Sequence, residues 1–92
     1  MSDPHYELVI APTARRQLTE QLPEPVAFAA YEFIIGPLRE NPRRVGKHLR
    51  PPLDDRHSAR RGTYRVIYRI DDTRRVVTVV GVVARADAYR PH

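Results

Sequence analysis

The stretch "RHSARRGTYRVIYRIDDTRRVVTVVGVVAR", residues 56–85, contains three extended segments separated by two turn signals. Apolar residues of the middle segment recur at every second position: Tyr64, Val66, Tyr68 and Ile70. Successive side chains of a strand point to opposite faces, so these residues share one face. Gly62 and the run "DDTR" at 71–74 are connections short enough for hairpins. The stretch therefore predicts an antiparallel meander with one face buried.

The other face of the middle segment carries two arginines, Arg65 and Arg69, which alternate with Thr63 and Ile67. A sheet face that the core does not need is available to a ligand. The last segment, from residue 75, is almost wholly apolar, which is typical of a central strand covered at least in part on both faces. Periodicity alone leaves open whether the arginines bind a ligand or are ordinary solvent-facing strand residues.

Upstream of the meander, the chain gives signals for one strand and two helices. The predicted elements are a strand over 6–11 ended by Pro12, a helix over 14–22 capped by Thr13, a second helix over 25–38 opened by Pro25, and a basic loop over 41–55. Gly36-Pro37 should kink or shorten the second helix, and the tail "ADAYRPH" (86–92) is expected to add one short helical turn. These signals predict an α+β fold of order β-α-α-β-β-β, with an N-terminal strand and two helices packed on an antiparallel sheet of about four strands.

Length and composition restrict the class of protein. Ninety-two residues with 41% apolar content suit one domain, 1–92, with a modest core and a shallow active surface. The lack of cysteine excludes disulfides and zinc-cysteine sites and fits a reducing compartment, so a cytoplasmic location is expected. No signal-peptide pattern or apolar run of about 18 residues is present, and neither export nor membrane spanning is expected. The aspartate pairs at 54–55 and 71–72 are interpreted as turn residues, and no metal or cofactor is expected.

The net charge of +5 is unevenly distributed. Residues 1–42 contain three arginines and six acidic residues, whereas residues 43–69 contain nine basic and two acidic residues. Fifteen of the sixteen basic residues are arginine. A GC-rich genome would account for that ratio but not for the clustering. A local basic field is what polyanion binding requires, so nucleic acid is the expected partner.

The order of the elements and two runs of residues carry a family resemblance. The runs are "VGKHLRPPLDDRHSARRGTYRVIYRID" (45–71) and "VARADAYR" (83–90). Over nearly the whole chain they resemble the RelE/ParE toxin superfamily, and within it the RelE branch. The most specific part is the spacing of serine, arginines and tyrosines within 58–68, followed by Arg85 and Tyr89.

This resemblance implies a small toxin of a type II toxin-antitoxin system. Such a toxin enters the ribosomal decoding site and cleaves messenger RNA without a metal ion, by attack of the ribose 2′-hydroxyl on the adjacent phosphate. A RelB-like antitoxin binds it in a hetero-oligomer and neutralises it. The implied catalytic residues are Arg60, Arg65, Arg85 and Tyr89. The implied RNA- or ribosome-binding residues are Arg43, Arg44, Lys47, Arg50, Ser58 and Arg61.

Two positions depart from the family pattern. Ser58 is uncharged where several relatives have a basic residue, and the missing charge is either supplied by Arg61 or absent. Ala84 replaces a histidine or lysine of many relatives, so a dedicated imidazole base is lacking there. His57 is expected to pack at the sheet edge rather than touch substrate. Two alternatives stay open: a ParE-like inhibitor that binds DNA gyrase and catalyses nothing, and a decayed toxin that retains only antitoxin binding.

Overall fold

A computed structural model describes residues 6–84 of the chain. In chain order the elements are β1 (Glu7–Ile10), α1 (Pro12–Arg16) continued by a π-helical turn (Gln17–Gln21), α2 (Glu24–Phe33) continued by a second π-helical turn (Ile34–Leu38), α3 (Pro42–Val45), β2 (Lys47–His48), β3 (His57–Arg61), β4 (Tyr64–Asp71) and β5 (Val76–Ala84). The α+β prediction and the three-stranded meander are confirmed. The predicted C-terminal helical turn lies outside the described residues.

The sheet is mixed and has five strands in the order β1-β5-β4-β3-β2, which corrects the prediction of about four antiparallel strands. Strand β1 lies parallel to β5, with Leu8 opposite Val77. A short turn forces two strands to be antiparallel, but β1 meets β5 only after the whole intervening chain, so no local signal set its direction. The extra strand β2 lies in the segment predicted as a loop and pairs antiparallel with β3.

A β-bulge sets which residues of the apolar strand β5 face the core. Tyr68 pairs with Val79, while the preceding residue of β4 pairs with Gly81, so Val80 is the extra residue. The added residue shifts the alternation by one position, and Val79 and Val82 are therefore both buried. A run of valines carries no period from which this shift could be predicted.

The helices supply the other half of the core. The predicted helical stripes are buried or half-buried against the sheet: Ala14, Leu18, Leu22, Val26, Ala30, Phe33, Ile34 and Leu38. Helix α1 begins at Pro12 with Ala11 as its N-cap, so the predicted Thr13 cap is wrong; proline fits the first helical turn because its missing N–H would be unbonded there anyway. Pro37 lies inside the second π-helical turn, where the sequence predicted an irregularity. No helix in the described range is long and apolar enough to cross a membrane.

Candidate functional site

Strand register places four of the sequence-predicted site residues on one face of the sheet. Arg60 of β3 lies directly opposite Arg65 of β4, and Lys47 of β2 lies opposite Ser58 of β3. Directly opposite residues of antiparallel strands point to the same face, and residues two apart on one strand do so as well. This is the face opposite the helices, because Tyr68, on the other face of β4, is fully buried in the core.

These residues line a groove of about 480 Å³, here called the basic groove. Its lining consists of Arg44, Val45, Gly46, Lys47, Leu49, Ser58, Arg60, Arg61 and Arg65. Five of these residues are cations and none is acidic. Neither Arg60 nor Arg65 forms an ion pair with a carboxylate of residues 6–84, so within that range no carboxylate compensates the charge of either guanidinium group.

The α3–β2 segment forms one wall of the basic groove and is held by close backbone approach. A Cβ atom at Gly46 would lie 2.2 Å from the hydroxyl of Tyr68 and 2.8 Å from the carbonyl oxygen of Ser58, so no side chain fits there. The Tyr68 hydroxyl donates a hydrogen bond of 2.6 Å to the Pro42 carbonyl oxygen. Burial raises the pKa of Tyr68 to about 12, which keeps the phenol protonated as a donor. In the sequence, Gly46 is only one residue of the predicted basic loop. Its position between Pro42, which starts α3, and Lys47 of β2 is the signal from which its role could have been found.

Arg61 borders the groove, but its guanidinium is engaged by the protein. It donates hydrogen bonds to the carbonyl oxygens of Arg60 (2.8 Å) and Val45 (3.2 Å). Its Cζ atom also lies 4.7 Å above the centre of the Phe33 ring of α2. Arg61 is opposite Tyr64 in the register, on the helical side of the sheet.

Arg43 and Arg50 are not among the lining residues of the basic groove. The guanidinium of Arg43 donates to Asp72, which also accepts a hydrogen bond of 2.8 Å from the Tyr6 hydroxyl. The hydrogen bonds from Arg43 and then Tyr6 hold the pKa of Asp72 below its usual value. The structure therefore gives Arg43 a bond that joins α3 to the β4–β5 turn, and leaves Arg50 exposed in the loop after β2.

His57 lies on the face of the sheet opposite the groove. Its ring is stacked between His48 (4.8 Å between ring centres) and Tyr68 (5.6 Å). Burial, followed by the nearby charges of His48 and Arg43, lowers the pKa of His57, so its imidazole is neutral at pH 7. This stack agrees with the expectation that His57 packs rather than lines the groove. The remaining predicted residues, Arg85 and Tyr89, lie outside the described part of the chain.

The groove supplies fixed positive charge, together with the hydroxyl of Ser58. Opposed guanidinium groups on paired strands match the oxygens of a phosphate and keep their charge at any physiological pH. In residues 6–84 no three His, Asp or Glu side chains are grouped as a metal site would require. The groove chemistry of the described residues is that of an anion-binding surface.

Comparison with known proteins gives consistent matches. The model of the family described as ParE toxin of type II toxin-antitoxin systems matches residues 8–89. Toxin RelE of Mycobacterium tuberculosis is 50% identical over 91 residues, which cover 98% of this chain and 93% of that protein. Toxin RelG of the same organism is 48% identical over 85 residues, 92% of this chain and 97% of that protein. The crystal structure of the M. tuberculosis toxin-antitoxin complex RelBE2 contains a chain with a TM-score of 0.84 and 46% identity, over 88% of this chain and 99% of that one.

Proposed function

This chain belongs to the RelE/ParE toxin superfamily as a RelE-type toxin, and from that premise we propose that it is a ribosome-dependent endonuclease that cleaves messenger RNA. The observation that carries the proposal is the pair Arg60 and Arg65, directly opposite each other on β3 and β4. Lys47 and Arg44 lie along the same basic groove, which no carboxylate lines. An RNA backbone is the polyanion that fits such a surface.

In the proposed reaction, the ribose 2′-oxygen attacks the neighbouring phosphorus and the bond to the 5′-oxygen breaks. The products are a 2′,3′-cyclic phosphate and a 5′-hydroxyl. Arg65 and Arg60 stabilise the negative charge that develops on the phosphoryl oxygens, which is commonly the largest catalytic contribution. Arg85 and Tyr89 are proposed to complete the site. Because the attacking oxygen belongs to the RNA and the groove supplies the cations, the reaction is proposed to need no metal ion.

Proton transfer is the step of the reaction for which this site is least suited. Tyrosine and arginine have ordinary pKa values of about 10 and above 12, far from neutrality, and His57 lies on the opposite face of the sheet. We therefore propose that the ribosome contributes by holding the message in an in-line geometry, since positioning can lower a barrier as much as acid-base chemistry does.

A RelB-like antitoxin is the proposed neutralising partner, as in the RelBE2 complex whose toxin this chain resembles. The exposed basic groove suits an acidic segment that folds on binding. Arg44 and Lys47, which are exposed and line the groove, are proposed to meet RNA or antitoxin in turn.

The ParE-like alternative, inhibition of DNA gyrase, has in its favour only that the matching family model carries the ParE name. The relatives at about half identity are named RelE and RelG, which favours RNA cleavage. The decayed-toxin alternative depends on Ser58 and Ala84, which lack the charges found in many relatives.

The test is brief expression of the free toxin followed by sequencing of RNA ends on isolated ribosomes, alongside a gyrase supercoiling assay. We expect new messenger RNA ends within coding regions, 2′,3′-cyclic phosphate or 3′-phosphate at the upstream fragment, and unchanged supercoiling. Inhibited supercoiling with intact messages would support the ParE-like alternative. Normal growth with soluble, intact toxin would support the decayed one.

A further inference from the structure

We infer that Arg61 is a positioning residue: it holds the α3–β2 wall against β3 and so sets the width of the basic groove, rather than binding phosphate itself. The inference rests on the proposed RNA-binding function of that groove. Resemblance and charge had grouped Arg61 with the RNA-binding residues, but its contacts point elsewhere.

The side chain of Arg61 lies on the helical face of the sheet. Arg61 pairs with Tyr64, which is buried on the helical face, whereas Arg60 pairs with Arg65 on the groove face. The guanidinium of Arg61 lies 4.7 Å from the centre of the Phe33 ring, on α2. Strand alternation therefore places the Arg61 side chain on the face toward the helices, opposite the face that holds Arg60 and Arg65.

The guanidinium of Arg61 is hydrogen-bonded within the protein. One nitrogen donates to the carbonyl oxygen of Val45, the last residue of α3, and another to that of Arg60 on β3. These two bonds connect the wall to the strand across the corner of the groove. Two of the five guanidinium N–H donors are used within the protein, and the stacking on Phe33 fixes the direction of the other three.

The pairing that attaches β2 to the sheet is short, although Tyr68 and Arg43 also bind α3 to the rest of the fold. Strand β2 contributes only two paired residues, Lys47 with Ser58 and His48 with His57. A pairing this short is weak by itself. The Val45 carbonyl lies directly before the Gly46-Lys47 pair, so a bond to it restrains the start of β2. Losing Arg61 should therefore release Lys47 from its place opposite Ser58.

A double-mutant cycle distinguishes positioning from direct binding. The measurement is binding of a fluorescent, non-cleavable 2′-deoxy oligonucleotide of about ten nucleotides to free toxin. If Arg61 acts through the wall, Lys47→Ala weakens binding about fivefold in the parent but less than about twofold in the Arg61→Ala variant. The reason is that the effects of mutations at contacting or mechanically coupled residues do not add. The second cycle, Arg61→Ala with Arg65→Ala, should be additive to within about twofold. Equal effects of Lys47→Ala in both backgrounds would overturn the inference and make Arg61 a phosphate ligand.

Amide hydrogen exchange supplies a readout that a phosphate ligand would not change. Arg61→Ala should speed exchange of the Leu49 amide, which is bonded to the Arg56 carbonyl at the end of β2, while amides within β4 and β5 stay protected. Arg16→Ala, which removes an exposed arginine of α1, is the matched control and should leave both exchange and binding unchanged. Unaltered exchange at Leu49 in folded Arg61→Ala would contradict the inference.

Arg61→Lys keeps the experiment decisive if the alanine variant does not fold. Lysine keeps the charge but cannot bond two carbonyls in a planar fork while stacked on Phe33. We expect exchange at Leu49 to be faster than in the parent and the Lys47 effect to be reduced. Full parental behaviour of Arg61→Lys in both measurements would show that charge alone matters and would overturn the positioning role.

Discussion

At the scale of single residues, Arg65 is the side chain on which the proposed chemistry depends most. It is half-buried on a strand in the middle of the meander, opposite Arg60. A strand keeps a guanidinium in place as charge develops on the phosphate, so little reorganisation is needed during reaction. A loop residue with the same charge would not have this advantage.

Arg65→Ala should lower the rate of message cleavage on ribosomes about 10²- to 10³-fold at saturating toxin, the usual cost of removing one preorganised donor. Arg65→Lys should recover only part of this rate, because it keeps the charge without the two-pronged geometry. Arg69→Ala is the control, since it removes an exposed arginine from the same face of β4 outside the groove. Cleavage by Arg65→Ala at the parent rate, with parental circular dichroism, would move the catalytic assignment to Arg60 and Arg85.

His57 makes the stability of the fold depend on pH. Burial, His48 and Arg43 hold its pKa below the value of about 6.5 expected in the unfolded chain. Between these two pKa values the unfolded state binds more protons, so the free energy of unfolding rises with pH through that window and levels off above about pH 6.5.

We expect urea unfolding to show a loss of stability between pH 7 and pH 5, and His57→Phe to reduce that loss because phenylalanine keeps a ring in the stack without titrating. The pKa of Asp72 is also lowered, so its stabilising bonds to Arg43 and Tyr6 persist above the ordinary carboxyl range and are lost only at more acid pH. An identical pH profile for His57→Phe and the parent would refute the assignment to His57.

At the scale of elements, the α3–β2 segment decides whether the groove has a second wall. Gly46→Ala should destabilise the fold by about 1–3 kcal/mol, because the new methyl group meets the Ser58 carbonyl and the Tyr68 hydroxyl. It should also weaken oligonucleotide binding, since Lys47 moves with the segment. Urea unfolding and fluorescence binding measure the two effects.

Gly36→Ala is the matched control for this prediction. A Cβ at Gly36 would meet nothing within 4 Å, and the residue lies in a helical turn where alanine is preferred. It should be neutral or slightly stabilising. If Gly46→Ala and Gly36→Ala behaved alike, the close approach at Gly46 would not matter to the wall.

At the scale of the whole molecule, the charges of α2 differ in sign from those of the basic groove. The segment Glu24–Leu38 contains two acidic residues and no basic one, while the basic groove is lined by five cations. Binding of single-stranded RNA to such a surface releases counterions and is therefore steeply salt-dependent. In the proposed function, the long-range field steers the toxin to RNA without reading its sequence.

The logarithm of affinity for the 2′-deoxy oligonucleotide should fall against the logarithm of salt concentration with a slope no steeper than about −2.8, or about 0.7 for each of the four lining cations other than Arg61. Reversing two charges in Arg44→Glu/Lys47→Glu should make the slope shallower by about 1.4 while sparing the single-turnover rate at saturation. Arg15→Glu/Arg16→Glu makes the same charge change on α1 and should leave the slope nearly unaltered. Equal slopes for the two double variants would mean that net charge, not the groove, governs binding.

The type and the faces of the main elements could be predicted from local patterns in the chain. Alternation placed Tyr64 and Tyr68 in the core and Arg65 on the opposite face, as the structure confirms. Helical spacing likewise identified the buried stripe from Ala30 to Leu38. These properties are local, because neighbouring residues set the period of a strand or helix and that period determines which side chains are buried.

Which cations act together could not be predicted in this way, because it depends on the fold. The fold brought Lys47 beside Arg60 and Arg65 and engaged Arg43 with Asp72 instead. It also bonded Arg61 to the wall, placed β1 parallel to β5 and shifted the phase of β5 by a bulge. Each of these outcomes depends on contacts between residues far apart in the chain. The local sequence pattern does not record the energies of those contacts, so it could not predict them. Arginines that are equivalent in sequence therefore differ in role because the fold gives them different neighbours.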